Sequence, residues 1–164
     1  MGNVVKSFLD LIVWQKSHSL TLDIYQITNK FPSVEKYGVI SQLRRAAYSV
    51  PSNIVEGHTR NSTKEFVHFL SIAQGSLNEL KYFLILSRDL NFIDLNEYNN
   101  LNIKADEISK MLYMMKVVDK MLDWENAGKI KLLSVGYSLR EPQLLFRKIE
   151  DEEISTQVEK LKSG

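Results

Sequence analysis

The residues that could carry chemistry in this chain are three histidines, several carboxylates and a few basic side chains. His18, His58 and His68 fall on three different predicted elements, and none has a second histidine or a carboxylate beside it at the spacing of metal ligands. The 164 residues include no cysteine, which excludes disulfides, thiolate metal sites and cysteine nucleophiles. We therefore predict no metal site.

The carboxylates and glycines of the sequence give no more indication of a catalytic site than the histidines do. Glu56 can be drawn beside Glu65 or Glu79, but no nucleophile accompanies such a pair, and carboxylates on bundle helices are usually solvated or paired with arginine. Gly57 and Gly75 stand alone in the sequence, so there is no glycine-rich loop that could bind phosphates. We predict a protein without catalytic activity and without a cofactor.

The basic residues are the stronger candidates for contact with a ligand. Arg44 and Arg45 are adjacent on a predicted helix, where neighbouring side chains point about 100° apart, so they cannot both face one partner. Arg60 and Lys64 fall at the junction between two predicted helices. These four residues lie close enough in sequence to be weighed as a group.

Two uses of the basic side chains stay open. In the first, an arginine bridges helices through Glu56 or Glu79 while its neighbour is solvated. In the second, Arg45, Arg60 and Lys64 contact the phosphates of a nucleic acid. The net charge is only +1, from 21 basic and 20 acidic residues, so binding would depend on this local group and not on the overall field.

Four helices must position these side chains. Apolar residues recur at three- and four-residue spacing in four stretches, which is the period of one helix face. The four predicted helices run from Leu9 to just before Pro32, from Ser33 to about Glu56 where Gly57 can end the helix, from Asn61 or Ser62 toward Leu90, and from the turn at 91–94 to about Met121.

The first helix carries a second apolar set beside its core stripe. Its members are Leu11, Trp14, Leu22 and Tyr25, which are more apolar residues than a lone surface helix needs. We expect another helix or another subunit to cover them. Methionines 111, 114 and 115 are interpreted as filler in the core and at an interface, because flexible thioethers suit irregular gaps.

Pro51 lies inside the pattern of the second helix. It lacks a backbone N–H and clashes with the preceding turn, so we predict a kink near residues 48–50. Ser49 or Ser52 is expected to bond to the freed carbonyl groups.

Four long helices joined by short turns favour an all-α fold, an antiparallel up-down four-helix bundle. Beyond Leu122 the helical period is lost and glycine and proline punctuate the chain. We place the bundle in residues 1–122 and an irregular C-terminal tail in residues 123–164. The apolar run near the N-terminus is interrupted at Asp10 and Gln15, so we predict neither a signal peptide nor a transmembrane helix, and we expect a cytoplasmic protein.

Three blocks follow one another in the first half of the chain: FLDLIVWQKSHSL, FPSVEKYGVISQLRRAAYSVPSNIVEGHTR and EFVHFLSIAQGSLNEL. In these blocks the chain resembles the 23S rRNA-intervening-sequence family, also called four helix bundle proteins. The resemblance implies a left-handed bundle that assembles into a ring-shaped homopentamer, and it implies no enzymatic activity. A related group, the accessory variability proteins of diversity-generating retroelements, looks like a ring that binds nucleic acid and reverse transcriptase.

The family block RRAAYSVPSNIVEG begins at Arg44 and ends at Gly57. The resemblance implies a structural role for this block, which fixes the kinked helix and the turn that follows it. Val55 stands where a smaller residue is usual. The residues that match the family block are Arg44, Arg45, Ser49, Asn53, Glu56 and Gly57.

The tail from Trp124 to Leu161 resembles a segment that follows the anticodon-binding helical domain in bacterial methionyl-tRNA synthetases, chiefly in EPQLLFRKIEDEEI. The chain has no HIGH-like block and no KMSKS-like loop, so aminoacylation is not implied, and a fusion or insertion event is inferred. The tail is expected either to be disordered or to fold back on the bundle through Leu132, Leu133, Leu144, Leu145 and Phe146.

Three functions stay open at this point. The first is a non-enzymatic, homo-oligomeric scaffold or adaptor that binds structured RNA or a ribonucleoprotein through Arg45, Arg60 and Lys64. The second is a protein-interaction module whose tail associates with a methionyl-tRNA synthetase or its tRNA. The third is the product of a mobile element that has no cellular partner.

Overall fold

The computed structural model describes residues 7–126, and the side chains of residues 7–117. Within that range the chain forms four α-helices and two short 3₁₀ turns, with no β-strand. The 3₁₀ turns, Phe8–Asp10 and Ser33–Tyr37, precede the first and second helices. The helices are α1, Ile12–Thr28; α2, Val39–His58; α3, Thr63–Asp89; and α4, Leu95–Asn126.

Each helix packs against its neighbour in sequence, and α4 closes the bundle against α1. Between α1 and α4, Lys16 contacts Glu107 at 2.8 Å and Asp23 contacts Lys104 at 2.7 Å. The residue number on one helix rises as that on the other falls, as antiparallel packing requires. The predicted all-α, antiparallel four-helix bundle is therefore confirmed.

The interior of the bundle is one apolar core to which all four helices contribute. Its residues recur at the spacing seen in the sequence because each helix turns one face inward. Burial of one large aliphatic side chain contributes about 1.5–3 kcal/mol to the stability of the folded state. The fully buried side chains include Leu20, Ile24, Leu43, Ile54, Leu70, Leu77, Leu84, Ile108, Leu112 and Met115.

The start of α2 differs from the prediction. Residues 33–37 form a 3₁₀ turn, and Gly38 has φ −96° and ψ −121°, outside the helical region, so the α-helix begins only at Val39. A carboxylate oxygen of Glu35 accepts a hydrogen bond from the Val39 N–H at 3.1 Å, which satisfies one of the free donors at the new helix start. The expectation of a continuous helix from Ser33 is wrong.

Gly57 does not end α2. The helix continues through His58, and Thr59 is its C-terminal cap. A Cβ atom built on Gly57 would lie 2.9 Å from the Cβ of Phe69 and 3.0 Å from a ring carbon of Phe66, both on α3. The glycine therefore permits close packing of two helices, a role that a local end-of-helix signal cannot indicate.

The later helix boundaries are close to those predicted. The Ser62 hydroxyl accepts from the Glu65 N–H and caps α3. At α4, the Asp94 carboxylate accepts from the Glu97 N–H at 2.8 Å, and the Glu97 carboxylate accepts from the Asp94 N–H at 2.9 Å, which is a capping box.

α4 continues to Asn126, past the expected end near Met121. The division between bundle and tail at residue 123 therefore falls within the last turns of this helix and stays a prediction. The tail residues from 127 onward lie outside the described residues. None of the described helices has the apolar run that a membrane span needs.

Candidate functional site

The structure does not bring the three predicted phosphate-binding residues into one patch. Arg45 and Arg60 are separated by fifteen residues, which is about 20 Å along a helix axis. Arg45 forms an ion pair with Glu79 on α3, and Arg60 forms one with Glu56. Lys64 is exposed on the first turn of α3 and makes no ion pair with any residue of the described range. Two of the three charges are thus already neutralised within the chain.

The expectation that one arginine bridges two helices through a glutamate holds for Arg45. It forms an ion pair with Glu79 and so joins α2 to α3. Arg44, expected to be solvated in that case, instead binds the end of α1: its guanidinium donates to the Thr28 hydroxyl at 2.8 Å and to the Asn29 side-chain oxygen at 3.0 Å. The same guanidinium lies 4.7 Å from the centre of the Tyr25 ring.

The other residues of the family block have structural contacts too. The Ser49 hydroxyl is 2.8 Å from the Ser76 hydroxyl on α3, so this pair joins two helices. The Asn53 amide donates to the Ser49 carbonyl at 2.8 Å and to the Ser49 hydroxyl at 3.1 Å. Glu56 pairs with Arg60 at the end of α2. Of these contacts, the Ser49–Ser76 pair joins α2 to α3, and the others are local to α2 and its C-terminal end.

The carbonyl freed by Pro51 is satisfied from another helix. Pro51 cannot donate to the carbonyl of Ala47. The Thr21 hydroxyl on α1 is 3.0 Å from that oxygen and 2.9 Å from the Ser17 carbonyl, and it shares its proton between them. The hydroxyl of Ser52, one of the two predicted partners, donates instead to the backbone carbonyl of Tyr48 at 2.8 Å. Sequence reasoning missed Thr21, although a hydroxyl within an apolar core stripe is a signal that could have pointed to it.

The structure places His18 and His68 on different helices, each beside an aromatic ring. His18 stacks on Trp14 with ring centres 5.1 Å apart, and His68 lies edge-on to Phe69 at 5.8 Å. Over the described residues, no group of three or more histidine, aspartate or glutamate side chains is placed to hold a metal ion.

An open groove of about 400 Å³ lies between α1 and α2. Leu22 is 57% exposed, Tyr25 41% and Tyr48 47%, so large apolar side chains face solvent here. Of the second apolar set expected on the first helix, only Leu11 is buried in the core. The groove is lined chiefly by Trp14, Leu22 and Tyr25 of α1 and by Tyr48, Pro51 and Val55 of α2.

The groove is also almost free of charge. The interhelix ion pairs of the described residues join α1 to α4, α2 to α3 and α3 to α4. None of them crosses the seam between α1 and α2, where Arg44 bonds to uncharged groups. His18 also lines the groove, with its ring stacked on that of Trp14. The hydroxyl groups of Thr21 and Ser52 donate to helix carbonyls. The lining is mainly apolar, which suits burial of another apolar surface.

Comparison with known families gives one match over most of the bundle. A family model described as 23S rRNA-intervening sequence protein matches residues 9–114. The chain is also similar to the crystal structure of a protein of unknown function from the S23 ribosomal protein family of Bacteroides thetaiotaomicron. That likeness has a TM-score of 0.59 and 26% sequence identity, and it covers 64% of this chain and 98% of that chain.

Methionine–tRNA ligases are the other relatives. The ligase of Phocaeicola vulgatus is 39% identical over 61 residues, which are 37% of this chain and 8% of the ligase. The ligase of Porphyromonas gingivalis is 29% identical over 114 residues, which are 63% of this chain and 17% of the ligase. The chain thus spans less than a fifth of these relatives. A match to 63% of this chain is longer than the 42 residues from 123 to 164, so it includes residues of the helical bundle.

Proposed function

This chain belongs to the 23S rRNA-intervening sequence protein family, and we propose that it is a non-enzymatic scaffold that works as a homo-oligomer. The resemblance noted in the sequence favours a ring of five copies. The groove between α1 and α2 is the observation that carries the proposal, because it is a contiguous and mainly apolar surface beside a core that is already complete. Exposed apolar patches of this kind mark interaction sites in proteins of this size.

Burial of the three exposed side chains of the groove would stabilise an assembly. Each Å² of apolar surface removed from water contributes about 25 cal/mol, so a second chain that covers Leu22, Tyr25 and Tyr48 gains several kcal/mol from these residues alone. Part of that gain offsets the loss of freedom on association. A charge placed at Leu22 would have to be desolvated on assembly and would cancel the gain.

Light scattering on the full chain tests the proposal. We expect the unmodified protein to have a mass several times that of one 19.0 kDa chain, and Leu22→Glu to have the mass of one chain. Ile103→Glu is a matched control, since Ile103 is 66% exposed on α4, away from the groove. An unmodified protein that stays monomeric at micromolar concentration, or a Leu22→Glu protein that stays assembled, would contradict the proposal.

Binding of structured RNA is a second candidate function. Its support is the junction between α2 and α3, where Arg60 and the exposed Lys64 are four residues apart in the sequence. Copies of a modest patch on one ring would add through avidity. We expect retention of the protein on immobilised total RNA at low salt, with loss at high salt. Lys64→Glu should weaken retention and Lys110→Glu, at an exposed lysine of α4, should not; equal retention of both variants would argue against this junction.

A methionyl-tRNA synthetase or its tRNA is a third candidate partner, and its support is the partial likeness to methionine–tRNA ligases. If the C-terminal part of the chain makes this contact, the full chain should capture the synthetase or tRNA and a chain that ends at Asn126 should not. Equal capture by both chains would count against the tail as the site of contact.

A further inference from the structure

The groove between α1 and α2 is a shallow, open depression lined mainly by apolar side chains. Two such grooves placed face to face would enclose a gap, and atoms that line a gap lose packing contacts. Protein interfaces that bind tightly are packed as densely as protein interiors. A second copy would therefore fill the groove well only with a convex apolar surface from another part of the chain.

A suitable convex surface lies on α3. Gly75, Asn78, Tyr82 and Ile85 follow at spacings of three, four and three residues, so they share one face of the helix, here named the α3 stripe. Tyr82 is 58% exposed and Ile85 39%. A Cβ atom built on Gly75 would meet nothing within 4 Å, so the bundle itself gives no reason for this glycine.

That glycine has a cost within the single chain. Glycine in the interior of a helix is less favourable than alanine by about 1 kcal/mol, and Gly75 lies in the middle of the 27-residue α3. A glycine on an exposed helix face allows another chain to approach the backbone closely. Its position about two turns before Tyr82 and three before Ile85 puts a shallow depression on the same face as two projecting side chains.

The α3 stripe has no charged member, and the charged residues around it are paired. Glu79 pairs with Arg45 on α2, and Lys81 pairs with Asp106 on α4. Just beyond Ile85, Arg88 pairs with Asp89. The outward face of α4 is different: its exposed Tyr113 follows one turn after the exposed Lys110. Charged groups in that position would have to be desolvated in an apolar groove. The charge pattern therefore favours α3 over α4 as the surface that enters the groove.

The two surfaces also agree in length. The α1 side of the groove extends from Trp14 to Tyr25, about 16 Å along the helix axis, and the α3 stripe extends about 15 Å from Gly75 to Ile85. We propose that the α3 stripe of one copy packs into the groove of the next, with Tyr82 as the side chain that enters it. This inference rests on the proposed self-association and specifies its contact.

A contact between two different surfaces has a structural consequence. Each copy keeps one free groove and one free α3 stripe after the first contact, so assembly continues until the chain of copies closes into a ring or grows as a filament. A groove-to-groove contact would instead stop at a dimer. The mode of contact is therefore measurable by mixing two variants.

The experiment uses the full chain with Leu22→Glu, which blocks the groove, and Tyr82→Glu, which blocks the α3 stripe. Both residues are more than half exposed, so the core is untouched. We expect each variant alone to have the mass of one chain. Mixed, they should form a complex of twice that mass, because one intact groove and one intact stripe remain. Tyr113→Glu, at a tyrosine that is also 58% exposed, is the control and should assemble like the unmodified protein.

Other outcomes overturn the proposal. If Tyr82→Glu assembles like the unmodified protein while Leu22→Glu is monomeric, another surface fills the groove. If both variants are monomeric and their mixture stays monomeric, the two surfaces do not meet. Thermal unfolding followed by circular dichroism checks that both variants are folded. If the unmodified protein is itself monomeric, the proposed self-association fails and this inference fails with it, a result that is visible before any variant is made.

A cross-link provides an independent measurement. Because the chain has no cysteine, one can be introduced on each surface without competition. Ser52→Cys beside the groove and Asn78→Cys on the α3 stripe, mixed under mild oxidation, should give a disulfide-linked pair. A mixture of Ser52→Cys with Asn99→Cys, at an exposed asparagine of α4, should give no disulfide-linked pair. Equal cross-linking of the two mixtures would overturn the proposal.

Discussion

The Thr21 hydroxyl on α1 lies 3.0 Å from the Ala47 carbonyl on α2 and 2.9 Å from the Ser17 carbonyl of its own helix, so its single proton is shared between two acceptors. Ala47 is the residue four positions before Pro51, whose missing N–H would otherwise leave this buried carbonyl without a partner. A residue on one helix thus compensates for a proline in another. The bond also joins the two helices that form the groove.

Replacing Thr21 should therefore destabilise the fold without changing its shape. Thr21→Val keeps the volume but loses the donor, and we expect the free energy of unfolding to fall by about 1–3 kcal/mol, the cost of a buried unsatisfied carbonyl. Thr21→Ser retains the donor and should lose less. Chemical denaturation of the two variants measures the difference, and equal stability would mean that the bond contributes little.

The two glycines of α2 and α3 should respond in opposite directions to the same substitution. Gly57→Ala places a methyl group 2.9 Å from the Cβ of Phe69, so α2 and α3 must separate, at a cost of about 1–3 kcal/mol. Gly75→Ala meets no atom within the chain and should raise the stability by about 0.5–1 kcal/mol through its helix propensity. Both are best measured in the Leu22→Glu background, where self-association does not contribute. The reverse order of stability would contradict the packing role of Gly57.

The adjacent arginines should differ in their effect on stability. Arg44 makes directed bonds to Thr28 and Asn29 and is half-buried, so Arg44→Ala should lower the free energy of unfolding by about 1–3 kcal/mol. Arg45 has a half-exposed side chain in its pair with Glu79, so Arg45→Ala should cost less than about 1 kcal/mol. Urea titration of both variants tests this order. Arg44→Lys should also destabilise, since lysine cannot reproduce the planar set of donors.

The cap of α4 gives a further prediction. The Asp94 carboxylate accepts from the Glu97 N–H, so Asp94→Ala should remove about 1 kcal/mol of stability. Asp94→Asn keeps an acceptor and should retain most of it. Thermal unfolding distinguishes the variants, and an alanine variant as stable as the asparagine variant would show that the cap is dispensable.

Much of this fold could be predicted because helix patterns are local. The three- and four-residue spacing of apolar residues indicates four helices and the face that each turns inward. Ser62 indicates the start of α3 by its side-chain chemistry alone. The start of α2 was predicted wrongly because Ser33 and Glu35 satisfy the same local rules in a 3₁₀ turn as in a helix, and Gly38 then breaks the run.

Only the α1 wall of the groove could be predicted from the sequence. Trp14, Leu22 and Tyr25 stand out as a second apolar set on one helix, but their opposite wall on α2 does not, because Pro51 and Val55 also fit a core stripe. The bridge from Arg45 to Glu79 was one of two open expectations, and the bonds of Arg44 were not expected.

By itself, therefore, the sequence determined the helices, the composition of the core and the absence of cysteine chemistry, since these depend on residue type and short-range spacing. Tertiary structure alone decided which side chains meet: Thr21 with Ala47, Gly57 with Phe69, and Arg44 with the end of α1. These contacts depend on the register between helices. Register is the result of packing the whole core at once, so no local stretch of sequence contains it.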